Sequence, residues 1–311
     1  MILLETIIQK SIAMSAQFFD WSFARRCFCG LAFCCMPIYA ASPTAAASLD
    51  LEPRWKVGAS ADYLLTKTGV VSVGGVTKVN TTNTTPVHVE VASANTDGFL
   101  LSWTLGPTRF DEAATASMNP VMKKIAGVMT GRQVMLRVDR RGRLLEVMNW
   151  KAIRDAANAL AVEIEAMLTQ SRLSSEQIGL ALTQFKSKFS SEQGVREIAG
   201  REAQLFLLLF GHRYDSSRPT EFTSSVPNPV GEGMALVVEH VELKGFDASA
   251  TFEWSQRGAL TGARDARNAA PSVKGHAAID AASGWPSLVM QTISATADDA
   301  ERTETTSLQR Q

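Results

Sequence analysis

The chain has 311 residues, 45% of them hydrophobic, which is enough to bury a sizeable core. Its 31 Lys and Arg balance 31 Asp and Glu, so no overall field draws it to nucleic acid or to an acidic surface. All four cysteines, Cys27, Cys29, Cys34 and Cys35, lie near the N-terminus, which excludes a thiol nucleophile from the rest of the chain.

Those thiols fit either a metal or redox cluster or an apolar leader. Zinc wants four fixed ligands on a polar, folded knuckle. The stretch from Cys27 to Met36 is apolar and carries no His, Asp or Glu, so the leader reading is preferred. Arg25-Arg26 forms a basic n-region, and Cys27 to about Tyr39 forms an apolar h-region too short for the ~20 residues of a bilayer span. Pro37 ends it. Ala40-Ala41-Ser42 and Ala45-Ala46-Ala47 supply A-x-A-like cleavage sites, and Met14 is a candidate start that would shorten the n-region. Bulky Phe33 before Cys34 argues against a lipid anchor. Residues 1–47 are therefore expected to be signal peptide and linker, and 48–311 one domain, periplasmic or secreted.

From Trp55 to Thr108 the pattern predicts strands. Val70 to Val73, Gly74-Gly75 and Val76 to Val79 read as a hairpin, since paired glycines accept the positive φ of a two-residue turn. Val87 to Val91 alternates apolar and polar residues, the mark of a half-buried strand. Asn95 to Gly98 turns into Phe99 to Leu105. Asn119 and Pro120 open a short helix with Val121, Ile125 and Val128 on one face, and Gly131 is its expected C-cap. Val134 to Val138 and Leu144 to Met148 form a second hairpin around Asp139-Arg140-Arg141-Gly142.

Residues 150–211 change to helical spacing. Trp150, Ile153, Leu160, Ile164 and Leu168 share a stripe. Ser174 and Gln177 form a capping box before Ile178, Leu182, Phe185 and Phe189. A third helix is expected from Glu192 to Phe210, ending at Gly211, with Leu205 to Phe210 apolar all round and so deeply buried. After Pro219 strands return at Ala235 to Val241, Ala248 to Trp254 and His276 to Ile279. Asp280 to Gly284 turns into Leu288 to Ile293, and Thr303 to Leu308 completes the sheet. Strands, helices, strands in that order predict an α+β fold: a largely antiparallel, curved sheet with about three helices inserted at 150–211 and packed against it.

The arrangement resembles a group of uncharacterised exported bacterial proteins. The resemblance rests on Trp55-Lys56-Val57-Gly58 with Tyr63, on the Asn119-Pro120 helix, on the hairpin from Gly131 through Gly142, and on the turn from Asp280 through Gly284. More distantly it is similar to periplasmic lipoprotein carriers, in which a curved sheet wraps around helices to hold acyl chains. That resemblance implies an envelope location, and none of the carriers' functional residues maps onto this sequence.

Catalytic and metal signatures are missing. His88, His212, His240 and His276 fall on separate elements with no second ligand at metal spacing, and there is no H-E-x-x-H or G-x-S-x-G. His212, beside Gly211, reads as a cation near a helix C-terminus. Glu163 and Glu165 point to different sides of a helix and make a poor catalytic pair. Arg137, Arg140, Arg141 and Arg143 form a local basic patch, read as a solvated turn. Asp298, Asp299 and Glu301 read as a solvent loop. Asn80-Thr81-Thr82 and Asn83-Thr84-Thr85 match the glycosylation pattern, which matters only in a eukaryotic secretory pathway; otherwise they are Thr-rich β-edge or loop.

The expected function is an exported envelope protein that binds or carries an apolar, lipid-like ligand in a cleft between sheet and helices. Leu205, Phe206, Leu209, Phe185 and Phe189 are its candidate lining. The alternative is a structural or protein-docking module of the envelope without a small ligand. An enzyme is the least favoured class, and no cofactor, metal, nucleic acid or transmembrane span is expected in the mature chain.

Overall fold

Runs of β-branched residues on either side of the helical segment pair into one sheet. The computed structural model describes residues 48–118, 120–171, 173–227, 234–259, 272–297 and 300–311. The expected leader, with Met14, Arg25, Arg26, Cys27, Cys34, Ala40 and Ala47, lies outside them, as do Asn119, Asp298 and Asp299.

The N-terminal half supplies β1 (Ser48–Leu51), β2 (Ser60–Val73), β3 (Val76–Ala94), β4 (Gly98–Leu105), β5 (Arg109–Phe110), β6 (Gln133–Asp139) and β7 (Leu144–Val147). Between β5 and β6 lie α1 (Glu112–Ser117) and α2 (Pro120–Ala126). The helical segment holds α3 (Trp150–Thr169), α4 (Ser175–Ser187), α5 (Glu192–Ala199) and α6 (Arg201–Leu207). The C-terminal half adds β8 (His212–Asp215), β9 (Thr220–Pro227), β10 (Met234–Phe246), β11 (Ser249–Ala259), β12 (Ser272–Asp280), β13 (Pro286–Ala297) and β14 (Ala300–Arg310).

Twelve strands make the main sheet in the order β7-β6-β4-β3-β2-β14-β13-β12-β11-β10-β9, with β5 beside β3. Its neighbours are antiparallel throughout. β1 and β8 form a separate antiparallel pair. The α+β class, the antiparallel sheet and the helical insertion are as the sequence predicts. The sheet is uncurled where a curved one was expected, and among the described residues β7 and β9 end it without pairing to each other.

Turn chemistry places the hairpins where expected. Gly74 and Gly75 take φ of 57° and 76° at the β2–β3 tip. Asp139 Oδ1 accepts from the backbone N–H of Arg141 and Arg143, and Asp280 Oδ1 accepts from Ser283 N–H. The Ser174–Gln177 capping box is formed, with both reciprocal bonds present.

Several expectations are corrected. The third helix is two: Gly200 stands between α5 and α6, its backbone near φ −97°, and α6 ends at Leu207 rather than Phe210. Gly131 does not cap α2, which ends at Ala126; its N–H instead donates to Leu105 O at 2.7 Å. The Thr-rich stretch 80–85 is not loop but the middle of β3, paired with β2 along its length, while on its other side only Asn83 and Thr84 meet a strand, the two-residue β5. Pro86 is tolerated there because it falls where β5 stops pairing at Thr84 and β4 starts at Val87. The strands β1, β5, β8 and β9 and the helix α1 carry too few periodic residues to be read from the sequence. Asp111 caps α1, accepting from Ala114 N–H at 2.6 Å.

Candidate functional site

Strand alternation puts Tyr63 and Leu65 of β2, Val87 and Val89 of β3 and Trp103 of β4 on one face of the sheet, where all are buried. The helices lie on that face, and Phe206 of α6 is the centre of the contact. Its ring meets those of Trp55, Tyr63, Trp103 and Trp285 at centroid separations of 6.0, 5.5, 5.6 and 6.1 Å. Trp55 also meets Phe99, Phe210 and Trp285 at 5.4, 5.3 and 5.4 Å. Such spacings are direct ring-to-ring contact.

The polar ends of these rings are mostly satisfied. Trp55 Nε1 donates to Gly284 O at 3.1 Å, Tyr63 OH to Pro286 O at 2.9 Å, and Tyr214 OH to Leu209 O at 2.7 Å. Burial pushes the Tyr63 and Tyr214 hydroxyls above the usual tyrosine range, so both stay neutral donors. Trp103 Nε1 is buried without a partner among the described residues.

The residues expected to line a cleft sit in or beside this core. Leu205, Phe206, Leu209 and Phe189 are buried in it. Phe185, half-buried, packs against both this cluster and a second one between α3 and α4, and its ring lies 5.3 Å from Phe189. Trp55 and Tyr63 enter the sequence reading only through a resemblance, and Trp103 and Trp285 are not singled out there; none of the four is named as lining. Their signal was faint, because they come from four separate segments and meet only when the sheet forms.

Towards the Gly74–Gly75 end the strands run past the packed layer, and every residue of β2 from Thr66 to Val73 is half-buried. On the helix side this region carries apolar Val71, Val79 and Ile293 beside charged groups. Lys67 pairs with Glu202, the only charged side chain among the described residues that is fully buried. Arg201 pairs with Glu304 at 3.2 Å. Burial lowers the pKa of Arg302, with Glu304 opposing and Arg201 reinforcing the effect. The opposite face carries hydroxyl rungs: Thr68–Thr82 at 3.3 Å, Thr292–Thr305 at 3.0 Å and Ser294–Thr303 at 3.1 Å.

The histidines stay apart. Exposed His88 has its Nδ1 2.7 Å from Asp62, and half-buried His240 has its Nδ1 2.9 Å from Glu221. His276 is half-buried on β12. His212 is on β8 rather than at a helix end, and stacks on Phe222 with ring centroids 3.9 Å apart. Burial, then the charges of Arg141 and Arg143, holds its pKa below the usual imidazole value. Among the described residues no group of three or more His, Cys, Asp or Glu could hold a metal ion.

The basic turn is largely committed to local bonds. Arg137 pairs with Glu146 at 2.9 Å, Arg143 with Asp139 at 2.7 Å, and Arg140 Nε donates to Thr96 O at 3.1 Å. Burial alone would raise the pKa of Asp139, but the hydrogen bonds and charge of Arg143 and the N–H of Arg141 outweigh it and lower it. Beside Arg137, the residues Leu100, Leu145 and Met148 border a shallow depression of about 200 Å³. Glu163 pairs with Lys124 and ties α2 to α3, while Glu165 accepts a bond from Thr169 through its carbonyl. Glu301 is exposed.

No family model matches the chain, and no curated protein matches it. The exported family that its turns resemble is thus not identified. Among solved structures, one of lipovitellin, concerned with its lipid–protein interactions, is similar over 83% of this chain at 8% identity and a TM-score of 0.43. The chain spans 25% of that protein's length. Among the described residues, no helix is long and apolar enough to cross a membrane.

Proposed function

We propose that the chain is an exported module of the cell envelope that docks another envelope protein through the uncovered half of its sheet, with no small ligand held inside. The ring contacts around Phe206 carry this reading, because the interface expected to form a cleft is occupied by the protein's own side chains. The half-buried strand segment from Thr66 to Val73 supports it, since a sheet that outruns its packed layer presents surface to a partner. The leader-like residues Arg25 to Ala47 support export.

A photo-crosslinking residue placed at Val70 or Thr68 in intact cells tests the reading. A discrete protein adduct is expected from these positions and from none on α3. Absence of any adduct, together with lipid in native mass spectra of the gently purified protein, would reject docking. It would favour the second reading, carriage of a lipid-like ligand, which the half-exposed Val71, Val79 and Ile293 on the helix side recommend. N-terminal sequencing of the exported form tests the leader.

A further inference from the structure

The overall charge balance of the chain hides a local imbalance. Residues 132–154, spanning β6, β7 and the first turn of α3, hold seven basic side chains against two acidic ones, Asp139 and Glu146. Arg137, Arg140, Arg141 and Arg143 are all exposed. In sequence between these arginines and the cations of α3 stand Leu145 and Met148, 41% and 51% exposed. Both border the depression of about 200 Å³ together with Leu100 and Arg137, so apolar and cationic groups share one surface, and Asp97 is the one acid on its rim. Lys151 Nζ and Arg154 Cζ lie 5.9 and 5.3 Å from the ring centre of half-buried Trp150. The β7 backbone is already engaged: Glu192 of α5 accepts from Val147 N–H at 3.0 Å, and the Arg196 guanidinium donates to Leu145 O. What this edge offers a partner is side chains.

We infer that this edge is a peripheral binding surface for a bilayer bearing anionic lipids. Arg137, Arg140, Lys151 and Arg154 meet the head-group phosphates, while Leu145 and Met148 enter the acyl boundary. Clustered cations are drawn to an anionic membrane, and adjacent apolar side chains add burial to that attraction. Trp150 is of the residue type enriched at the membrane–water interface. Two arguments select lipid over other polyanions. Against a nucleic-acid backbone, Leu145 and Met148 would stay in water between the phosphates. A folded protein would have to set acidic groups among holes matched to both side chains, whereas lipids supply head groups and apolar depth by lateral rearrangement. The Arg137–Glu146 pair does not oppose this, since both members are exposed and such pairs contribute little. The contact lies on the β7 side of the sheet, goes beyond protein docking through Thr66 to Val73 of β2, and does not depend on it.

Co-sedimentation of the full chain with vesicles reads the contact, with equal parts phosphatidylglycerol and phosphatidylcholine set against phosphatidylcholine alone. Tighter binding is expected to the anionic vesicles, weakening as salt rises. The double variant R140Q/K151Q should weaken it about tenfold or more, at about fivefold for each cation removed. L145S/M148S should weaken it about fivefold or more by removing the inserted apolar groups. Lys78→Gln on β3 and Val162→Ser on α3, both exposed, should leave it unchanged. The apolar stretch 27–39 is common to every variant, so differences between them report the edge. A wild type that gains nothing from anionic lipid overturns the inference, as does either double variant that binds like the wild type. Retention on duplex DNA or polyglutamate that the same substitutions abolish, with vesicles ignored, gives the surface to another partner and also overturns it. Should R140Q/K151Q misfold through loss of the Arg140–Thr96 bond, Lys151→Gln alone decides, with a loss of about fivefold expected.

Discussion

Truncating Phe206 to alanine removes the ring against which Trp55, Tyr63, Trp103 and Trp285 pack. Because those rings are held by separate strands and loops, they cannot collapse far into the space. The expected cost is about 3–5 kcal/mol, read as a lower urea midpoint at unchanged m-value. His212 makes a second prediction at this scale. Its folded-state pKa lies below the unfolded value of 6.5, so the native state prefers the neutral ring. That preference stabilises fully above pH 6.5 and is lost as pH falls towards the folded pKa, where the ring must charge beside Arg141 and Arg143. His212→Phe keeps the stacking on Phe222 but cannot charge. Between pH 7 and about pH 5 its melting temperature should therefore fall less than that of the wild type. Equal losses would rule His212 out as an acid-sensitive group. Local chemistry of the kind at Asp139, Asp280 and Ser174 was legible in the sequence, because each side chain bonds within four residues of itself. The Lys67–Glu202 pair was not, since 135 positions separate its members.

Helix α4 shows how far that local legibility reaches. Its start is set by Ser174 Oγ, which accepts from Gln177 N–H at 3.2 Å, while Gln177 Oε1 accepts from Ser174 N–H at 2.9 Å. Ser174→Ala leaves the Gln177 N–H without its acceptor and should cost about 0.5–2 kcal/mol, with faster amide exchange confined to the first turn of α4. Exchange that spreads into α3 would mean that the cap also holds the α3–α4 packing of Ile164, Leu168, Ile178 and Leu182. The break between α5 and α6 was hidden for the opposite reason. The run from Glu192 to Phe210 has unbroken helical periodicity, and a lone glycine lowers helix propensity without dictating a break. What ends α5 is tertiary: Val195 and Ala199 must face the core while α6 delivers Phe206 to the rings of the sheet. Strand lengths were underestimated for a similar reason. The mixed Thr, Asn and Lys residues of 66–85 show no single buried face, and only pairing makes them strand, on both sides in β2 and chiefly with β2 in β3.

At the scale of the molecule, chain order and sheet order diverge at one place. Outward from β2, the strands β3, β4, β6 and β7 follow in sequence on one side, while β14, β13, β12, β11, β10 and β9 follow in reverse on the other. Within the main sheet the two halves therefore meet only where β14 lies against β2, with Leu308 opposite Leu65 and Arg310 opposite Tyr63. Pattern reading found β14 but had no means to place it in the middle, since nothing local in Ala300 to Arg310 names its partner. Until those residues are available, β2 and β13 each lack a neighbour and the two halves share only the four-residue β1–β8 ladder. Contacts of such sequence separation form late, after the entropy of closing the loop has been overcome. A chain ending at Ala297 is thus expected to show helical and strand signals by circular dichroism but no cooperative thermal transition, and to be cut rapidly by protease between the halves. A truncated chain that melts cooperatively near the wild-type temperature would show that the sheet does not depend on this seam.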